Sequence, residues 1–504
     1  MAAALRETLH HGSEAARFLL ARVERRVKDL SVHRTTVRLF EPAAPRRSPL
    51  SWLGPSQAVR LMMLVLAGSV VFSASGHVLF AEDGPEQKPA QKKPAKSGQP
   101  DGDDSQATAE EPTVFSISKP LTSDEAWKKW SEGKDHRDFT NRVDSGELDR
   151  DAMQVISNGI REQVYAMTLP TQRDNLGSLV AGILRSVHTA AGQKNAATQR
   201  AIRAAMMREI IKSCHDLGDN QFYVRLNATI LLGNLFIVPE NPVNRTPPEF
   251  FDEAFAALME VLERPGQPEG IKLAAVNGLR NAALYCIPPL QPSQKILLAT
   301  KLLVELEKTN TCEWYQARIC ETLGSLDQIY DLDGRPFIVH ALAKALYDHN
   351  RPLYARAAAA KALGRAQLPP TIDLNVVAYG IADLSRQIVE TRNDRKKHVN
   401  RWCVTDVFLA FRPKDTAEHA RRAGLLNRVD EPTFQKYKGS IKEVYGLILP
   451  MVAQELKEPD SAFPPEIGER MVGWLKNHTP TQMRVAPGLP LITTTQVTKT
   501  EAPH

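Results

Sequence analysis

The stretch YVRLNATILLGNL at residues 223–235 recurs three times downstream. Its counterparts are GIKLAAVNGLRNA at residues 270–282, WYQARICETLGSL at residues 314–326 and YARAAAAKALGRA at residues 354–366. The four starts, at 223, 270, 314 and 354, are 47, 44 and 40 residues apart. Self-similarity at such a period is typical of two-helix repeats, in which each repeat buries its apolar face against the next. We refer to the four segments as the motifs.

Aligned without gaps, the motifs share columns of related residues. Two apolar columns lie four residues apart, which places them on one face of a helix. They hold Ala228, Ala275, Ile319 and Ala359, and Leu232, Leu279, Leu323 and Leu363. A third column holds basic or amide residues: Arg225, Lys272, Gln316 and Arg356. A fourth column is mostly glycine: Gly233, Arg280, Gly324 and Gly364. The small residue lets a neighbouring helix approach, the leucine fills the layer between repeats, and the glycine fits either a helix end or a tight contact.

Other amphipathic stretches lie between the motifs, each long enough for three or more helical turns. They cover residues 250–262, 294–307, 336–347 and 374–391. The predicted order is therefore helix, short loop, motif helix. Over residues 195–412 this pattern resembles the HEAT-repeat (armadillo-type) family. The resemblance implies an all-α fold, a right-handed α-solenoid of helix pairs.

The HEAT pattern also carries an Asp six residues before an Arg of the motif helix, and this pair links neighbouring repeats. In this chain Asp219 precedes Arg225 by six residues. The equivalent positions before the other three motifs hold Gly266, Asn310 and Asn350. Only the first repeat therefore has both partners.

Residues 1–60 hold the net positive charge of the chain. They contain 11 Lys/Arg and five Asp/Glu, a balance of +6, which equals the net charge of all 504 residues. Three interpretations of this basic tail stay open. It is a basic amphipathic helix on an anionic membrane surface, a cytoplasmic tail with little structure, or a stretch upstream of the true start codon. Because the remainder is neutral, we do not expect nucleic acid as the partner, since phosphate neutralisation needs a basic surface.

Residues 61–81, LMMLVLAGSVVFSASGHVLFA, contain no Lys, Arg, Asp or Glu. A run of this length is sufficient for a transmembrane helix. Arg60 precedes it and Glu82 and Asp83 follow it, which predicts that the N-terminus is inside and the rest of the chain outside. Small residues near its end also allow cleavage of a signal segment near residues 74–81. The sequence therefore predicts a body that is membrane-anchored through residues 61–81 and extracytoplasmic, or exported after cleavage.

The remaining segments follow from composition and periodicity. Residues 82–113 are rich in Pro, Gln, Lys, Gly and Asp and cannot bury enough apolar surface to fold, so we expect a disordered linker. Residues 114–194, with Trp127, Trp130 and Phe139, are expected to form a helical N-terminal cap. Residues 195–412 form the HEAT-like repeats, residues 413–478 the C-terminal helices and residues 479–504 a disordered tail. The Pro-rich residues 238–249 are expected to form an ordered loop between repeats.

The chain has five cysteines and no CxxC pair. Four of them lie in or beside apolar helical runs, which favours buried thiols that pack as small apolar groups. If any disulfide forms, Cys286 with Cys320, on successive motif helices, is the more plausible pair.

The sequence contains no recognised catalytic or cofactor-binding motif. The chain contains no HExxH, no P-loop, no GxSxG and no glycine-rich dinucleotide motif, so no catalytic, metal-binding or cofactor-binding residue is assigned. The densest positive charge of the folded part lies in residues 391–412. A partner-binding patch is predicted there, made of Arg392, Arg395, Lys396, Lys397, Arg401 and Trp402.

These observations favour a non-enzymatic scaffold that mediates protein–protein interaction through an unknown protein or peptide ligand. Two alternatives stay open. One is a HEAT-like enzyme or cofactor-handling protein with a pocket on its concave face that carries no recognisable motif. The other is a nucleic-acid-binding solenoid that uses the basic patch of residues 391–412.

Overall fold

The computed structural model describes residues 119–241, 246–394, 399–412, 423–459 and 461–492. The basic tail, residues 61–81 and the linker of residues 82–113 lie outside this range. The described residues belong to two units, the first with Asn241 and Thr246 and the second with all the others. In the first unit the structure describes only Asn241 and Thr246, which form an isolated antiparallel bridge. Every helix and strand given below belongs to the second unit.

The described residues are mainly helical, which confirms the predicted all-α class at that level. Five helices come first: α1 (Asp124–Glu132), α2 (Lys134–Ser145), α3 (Arg150–Ala166), α4 (Leu176–Thr189) and α5 (Ala196–Asp216). Side chains cap three of them, because Ser123, Asp149 and Asn195 each accept a hydrogen bond from a backbone N–H of the first turn. Trp130 and Phe139 are buried and attach α1 and α2 to α3.

The four motifs form α6 (Phe222–Gly233), α8 (Glu269–Tyr285), α10 (Glu313–Ser325) and α12 (Leu353–Arg365). The helices between them are α7 (Ala254–Glu263), α9 (Pro292–Glu307) and α11 (Phe337–Tyr347), followed by α13 (Leu374–Asn393) and α14 (Trp402–Leu409). Each motif helix packs against the next one, in the order α6, α8, α10 and α12, and α12 packs in turn against α14. Each also packs against the helix that precedes it in sequence. The predicted alternation of helix and motif helix is therefore present.

The apolar columns of the motif are buried throughout, and the glycine column marks the closest helix contacts. All eight apolar residues of the two columns are at most 4% exposed. A Cβ at Gly233 would lie 3.0 Å from the Cα of Gly278, and one at Gly324 would lie 2.7 Å from the Cα of Ala362. Both roles predicted for the glycine are observed, because Gly233, Gly324 and Gly364 lie within the last two residues of their helices and also at close helix contacts.

Two members of the basic or amide column, Gln316 and Arg356, donate to backbone carbonyls at the turn inside their repeats, whereas Lys272 pairs with the Glu305 carboxylate at 3.2 Å. Gln316 donates to the carbonyls of Thr309 and Thr311 at 3.3 and 2.9 Å. Arg356 is 1% exposed and donates to the carbonyl of Leu346 at 2.9 Å. Helix ends leave carbonyls without partners, and these buried donors supply them.

Arginines in the loops connect one repeat to the next. Arg264 donates to the carbonyl of Gly218 and pairs with Asp219 at 3.2 Å. Arg351 donates to the carbonyl of Leu306 at 2.7 Å and to Oε1 of Gln316 at 3.0 Å. Asp219 therefore forms an ion pair with a loop arginine of the following repeat, and its charge also acts on the motif-helix Arg225.

Two short strands flank the Pro-rich loop, and the sequence pattern did not predict them. Strand β1 (Phe236–Val238) pairs antiparallel with β2 (Glu249–Phe250). The aromatic rings of Phe236 and Phe250 meet edge to face, with centroids 5.5 Å apart. The residues directly before and directly after the loop are therefore held by paired backbone.

The C-terminal part holds α15 (Leu425–Arg428), α16 (Lys438–Lys457) and α17 (Pro465–Asn477), and α16 and α17 pack on α13. Residues 479–492, which were assigned to the disordered tail, are folded back in the structure. Val485 is fully buried, and its carbonyl accepts a 2.7 Å hydrogen bond from the N–H of Asp373. Scattered apolar residues without helical or strand periodicity hold this segment, so periodicity gave no signal for it.

No helix within the described ranges is both long and apolar enough to cross a bilayer. All five cysteines are free thiols, so the suggested Cys286–Cys320 pair is not bonded. Four are buried, as predicted, and Cys312 is exposed. Burial raises the pKa of the Cys320 thiol to about 12.

Candidate functional site

One further motif position is polar in three of the four repeats. The eighth motif residue is Ile230, Asn277, Glu321 and Lys361 in chain order. In the structure Lys361 Nζ lies 2.5 Å from Glu321 Oε1 and 2.8 Å from Asp406 Oδ1. These three charged side chains belong to α10, α12 and α14. A buried chain of charges therefore joins three consecutive packed helices.

Burial and charge act differently on the two carboxyl groups. Glu321 is 8% exposed and Asp406 is 2% exposed, and burial by itself raises the pKa of both. At Glu321, three neighbouring cations outweigh burial and hold the pKa well below its usual range: Arg318, Lys361 and Arg280. At Asp406 burial prevails, so its pKa is raised although Lys361 opposes the shift. Glu321 is therefore ionised at neutral pH, and Asp406 takes up a proton more readily.

Arginines extend this chain of charges towards the surface. Arg318 pairs with Glu321, and its side chain keeps 31% of its surface exposed. Arg365 donates to the carbonyl of Leu409 at 3.1 Å and lies close enough to Asp406 to lower its pKa. We call the set the charged row: Arg280, Arg318, Glu321, Lys361, Arg365 and Asp406. With four cations and two carboxyl groups, the charged row is net positive.

Aromatic side chains border the charged row at the N-terminal ends of the same helices. Trp314 is 45% exposed and packs on Tyr354, with ring centroids 4.7 Å apart. Burial, reinforced by the nearby Asp406, raises the pKa of the Tyr354 hydroxyl. Trp402 begins α14, and the guanidinium of Arg401 lies 5.7 Å from its ring centroid. Aromatic rings beside arginines are common at protein-binding surfaces.

The charged row holds its charges in place by mutual pairing. The Lys361 ammonium is shared between two carboxyl groups, and its side chain is only 12% exposed. In the part of the chain that the structure describes, no group of three or more His, Cys, Asp or Glu side chains could hold a metal ion. The arrangement is thus suited to fixing neighbouring repeats and presenting arginine and tryptophan edges to a ligand.

The structure separates the residues of the predicted basic patch. Arg392 is inside the fold, where it pairs with Glu455 at 3.1 Å and lies over the ring of Phe463. Arg401 is exposed and Trp402 is half-buried. Three patch residues lie outside the described ranges: Arg395, Lys396 and Lys397. Partner binding by this patch stays a prediction.

A second surface feature is a groove of about 660 Å³ beside α5 and β2. Alanines of α5 and the ring of Phe250 line it. Arg200 and Glu249 pair on one side at 2.8 Å, and Arg208 and Glu253 pair on the other at 2.7 Å. Asp252 also lines the groove, so its two arginines face three carboxylates, whereas the charged row has more cations than carboxyl groups.

Comparison with known proteins identifies no relative. No protein-family profile, curated protein or solved structure matches this chain. The functional inference therefore rests on the residues and contacts of the chain itself.

Sequence reasoning missed the charged row, although a signal for it was present. The eighth motif position changes from apolar Ile230 to Glu321 and then to Lys361, while the columns around it stay apolar. Opposite charges at one position of successive repeats indicate that neighbouring helices pair there. The third member, Asp406, lies on α14, outside the four motifs, so the alignment did not include it.

Proposed function

We propose that this chain is a non-enzymatic, HEAT-like right-handed α-solenoid scaffold that binds a protein or peptide ligand. The observation that carries the proposal is the order of packing, in which α6, α8, α10, α12 and α14 follow one another. Repeats that contact only their neighbours build an extended surface, which is the usual binding surface of solenoids. The charged row and its aromatic border cross four of these helices and give that surface a defined chemistry.

We infer that ligand recognition uses the net positive charge of the charged row together with Trp314. Partly exposed guanidinium groups such as Arg318 form strong, directional hydrogen bonds with carboxylates. An exposed tryptophan supplies apolar contact area at low entropic cost. A ligand segment with acidic side chains and at least one apolar anchor fits both features.

The proposed location is the extracytoplasmic side of a membrane, with residues 61–81 as anchor or as a cleaved signal. The supporting observations are the uncharged run itself, the basic residues before it and the acidic residues after it. Residues 82–113 would then act as a tether between the bilayer and the helical body.

Nucleic-acid binding is the less supported alternative. Arg392 forms an ion pair with Glu455. In the charged row, the two carboxyl groups compensate part of the positive charge of the row. Phosphate backbones are bound by uncompensated cations, and affinity depends on their number. The described surface favours a protein ligand for that reason.

Site-specific photo-crosslinking in the cells that produce the protein tests the scaffold proposal. A photoreactive phenylalanine analogue replaces Trp314 in the full chain, and a matched control carries it at Leu332, which is 88% exposed in a loop. We expect a discrete adduct with another protein from position 314 only. Absence of an adduct there, or the same adducts from both positions, would contradict ligand binding at the charged row.

A further inference from the structure

Helix α9 is apolar on two opposite sides. Its inner side is buried against the fold through Leu298, Leu302 and Leu306. Its outer side exposes Leu297 by 47% and Val304 by 53%. Among the described helices, α9 alone exposes two large aliphatic side chains. A helix with apolar residues on both sides normally has a partner on each side.

Apart from its first residue, Pro292, the exposed residues of α9 form one line along the helix. They follow a 4-3-4-3 spacing, which is the spacing of the contact line in a two-helix coiled coil. We call this line the α9 seam, and it comprises Ser293, Leu297, Thr300, Val304 and Glu307. From Ser293 to Glu307 the seam extends over about 21 Å, at 1.5 Å per residue.

The lysines of α9 do not block the seam. Lys301 turns towards α7 and pairs with Glu263 at 3.2 Å. Lys295 donates to the carbonyl of Asp327 at 3.2 Å, beyond the end of α10. Since both ammonium groups are engaged by neighbouring elements, a second helix can approach the seam without meeting an unpaired positive charge.

We propose that the α9 seam is a self-association surface, on which α9 of a second copy of this chain packs antiparallel. In the seam, Thr300 lies between two aliphatic residues, Leu297 three positions before it and Val304 four positions after it. An antiparallel pair would set Leu297 against Val304 of the partner subunit, twice, with the two Thr300 side chains meeting at the two-fold axis. Such an isologous contact closes on itself and gives a dimer.

Charge decides the direction of the pair. In a parallel pair, Glu307 would face the partner's Glu307, and like charges at that distance repel. In the antiparallel pair, Glu307 lies beside Ser293 of the partner subunit, at the N-terminal turn of its α9. A carboxylate is stabilised next to a helix N-terminus, so the antiparallel arrangement is the complementary one.

The expected dimer is concentration-dependent. Two helices that meet along one seam bury less than the roughly 1,200 Å² typical of stable specific interfaces. A monomer–dimer equilibrium is therefore expected for the full chain, and the exposed Leu297 and Val304 should account for most of its affinity.

Cysteine crosslinking of the full chain tests both the contact and its direction. The exposed Cys312 is first replaced by Ser. One tagged copy then carries Ser293→Cys, and a second copy with a different tag carries Glu307→Cys. Mild oxidation should give a disulfide between the two tags, and no disulfide between copies of one kind. A Ser293→Cys homodimer alone would overturn the antiparallel pairing, and absence of any crosslink would overturn self-association through α9.

Sedimentation of full chains without the introduced cysteines provides the second measurement. Leu297→Glu should raise the dissociation constant by about tenfold or more, because the charge would lie against the partner's Val304. The matched control Leu332→Glu, at an exposed apolar residue outside the helices, should leave it unchanged. Equal effects of both substitutions, or a monomer that shows no concentration dependence, would overturn the proposal. Thiol labelling of a third variant, Thr300→Cys with Cys312→Ser, tests whether the seam is accessible. A monomer in which this thiol resists labelling would also overturn the proposal, because another segment would then cover the seam.

Discussion

The contact between α10 and α12 depends on the absence of a side chain at Gly324. A Cβ at this position would lie 2.7 Å from the Cα and 2.8 Å from the carbonyl oxygen of Ala362. Both atoms belong to the backbone of a packed helix, so no side-chain rotation relieves the clash. Gly324→Ala therefore forces α12 away from α10 or distorts the end of α10.

Two effects of this substitution oppose each other. Overpacking a tight contact costs about 1–3 kcal/mol, and more where backbone must move. Replacing a helical glycine by alanine contributes about 0.5–1 kcal/mol of stability. Because the clash is with backbone, we expect a net loss of about 2 kcal/mol in the local free energy of opening. Amide hydrogen exchange in α10 and α12 of the full chain should then be about 30-fold faster.

Gly446 in α16 (Lys438–Lys457) provides the matched control, because a Cβ there would have nothing within 4 Å. Gly446→Ala should slow exchange in α16, since only the helix-propensity effect remains. If Gly324→Ala also slowed exchange, or left it unchanged in α12, then the close packing of the motif helices would not limit local stability. The explanation of the glycine column would then be wrong.

Three further predictions follow from buried charges and thiols. Lys361→Met leaves the buried Asp406 without its bonded cation and removes one of the three cations near Glu321, so it should destabilise the fold by about 3–5 kcal/mol, against less than about 1 kcal/mol for the surface-pair control Lys301→Met, both measured by denaturant unfolding. The deficit of Lys361→Met should be larger at pH 8 than at pH 5, because the folded pKa of Asp406 is already raised and a carboxyl group with a raised folded pKa loses stability as the pH rises through that pKa. Arg351→Met removes the bonds from one loop to the preceding repeat and should speed hydrogen exchange at the C-terminal end of α9, with exchange in α17 unchanged. In thiol labelling at pH 8, Cys312 should react before unfolding and the other four cysteines only after it, and fast labelling of two or more thiols would contradict the buried positions.

The repeat was predictable from sequence because its signal is redundant. Leucine recurs at fixed spacing in all four segments, and a small residue and a glycine recur in three of the four each, and all reflect the same physical constraint of close helix packing. The apolar columns and the helices between the motifs are accordingly where the sequence places them. Segments without redundancy were not predictable. The β1–β2 pair contains five residues, and residues 479–492 depend on scattered apolar contacts such as that of Val485.

The loop contacts show why a family pattern could not supply the links between repeats. The pattern directs attention to Asp219 and Arg225, six residues apart on one repeat. In the structure Asp219 pairs with Arg264, whose guanidinium also bonds to the carbonyl of Gly218. Two repeats further along the chain, Arg351 makes the equivalent contact, to the carbonyl of Leu306. Every residue has a backbone carbonyl, so the sequence does not show which carbonyl accepts the hydrogen bond. Only the arginine of each link can be recognised from the sequence.

The same reasoning explains why the charged row escaped a search based on charge density. Residues 391–412 were predicted as a binding patch because their cations are close in sequence. In the structure, however, Arg392 pairs with Glu455 inside the fold. Glu321, Lys361 and Asp406 are 40 and 45 residues apart, and they meet because equivalent positions of consecutive helices face each other. In a repeat protein, residues that are one period apart in the sequence are close in space, because each repeat packs against the next. Reading each motif position down the repeats, and asking whether successive residues carry opposite charge, is therefore the more informative search for a binding surface in such a chain.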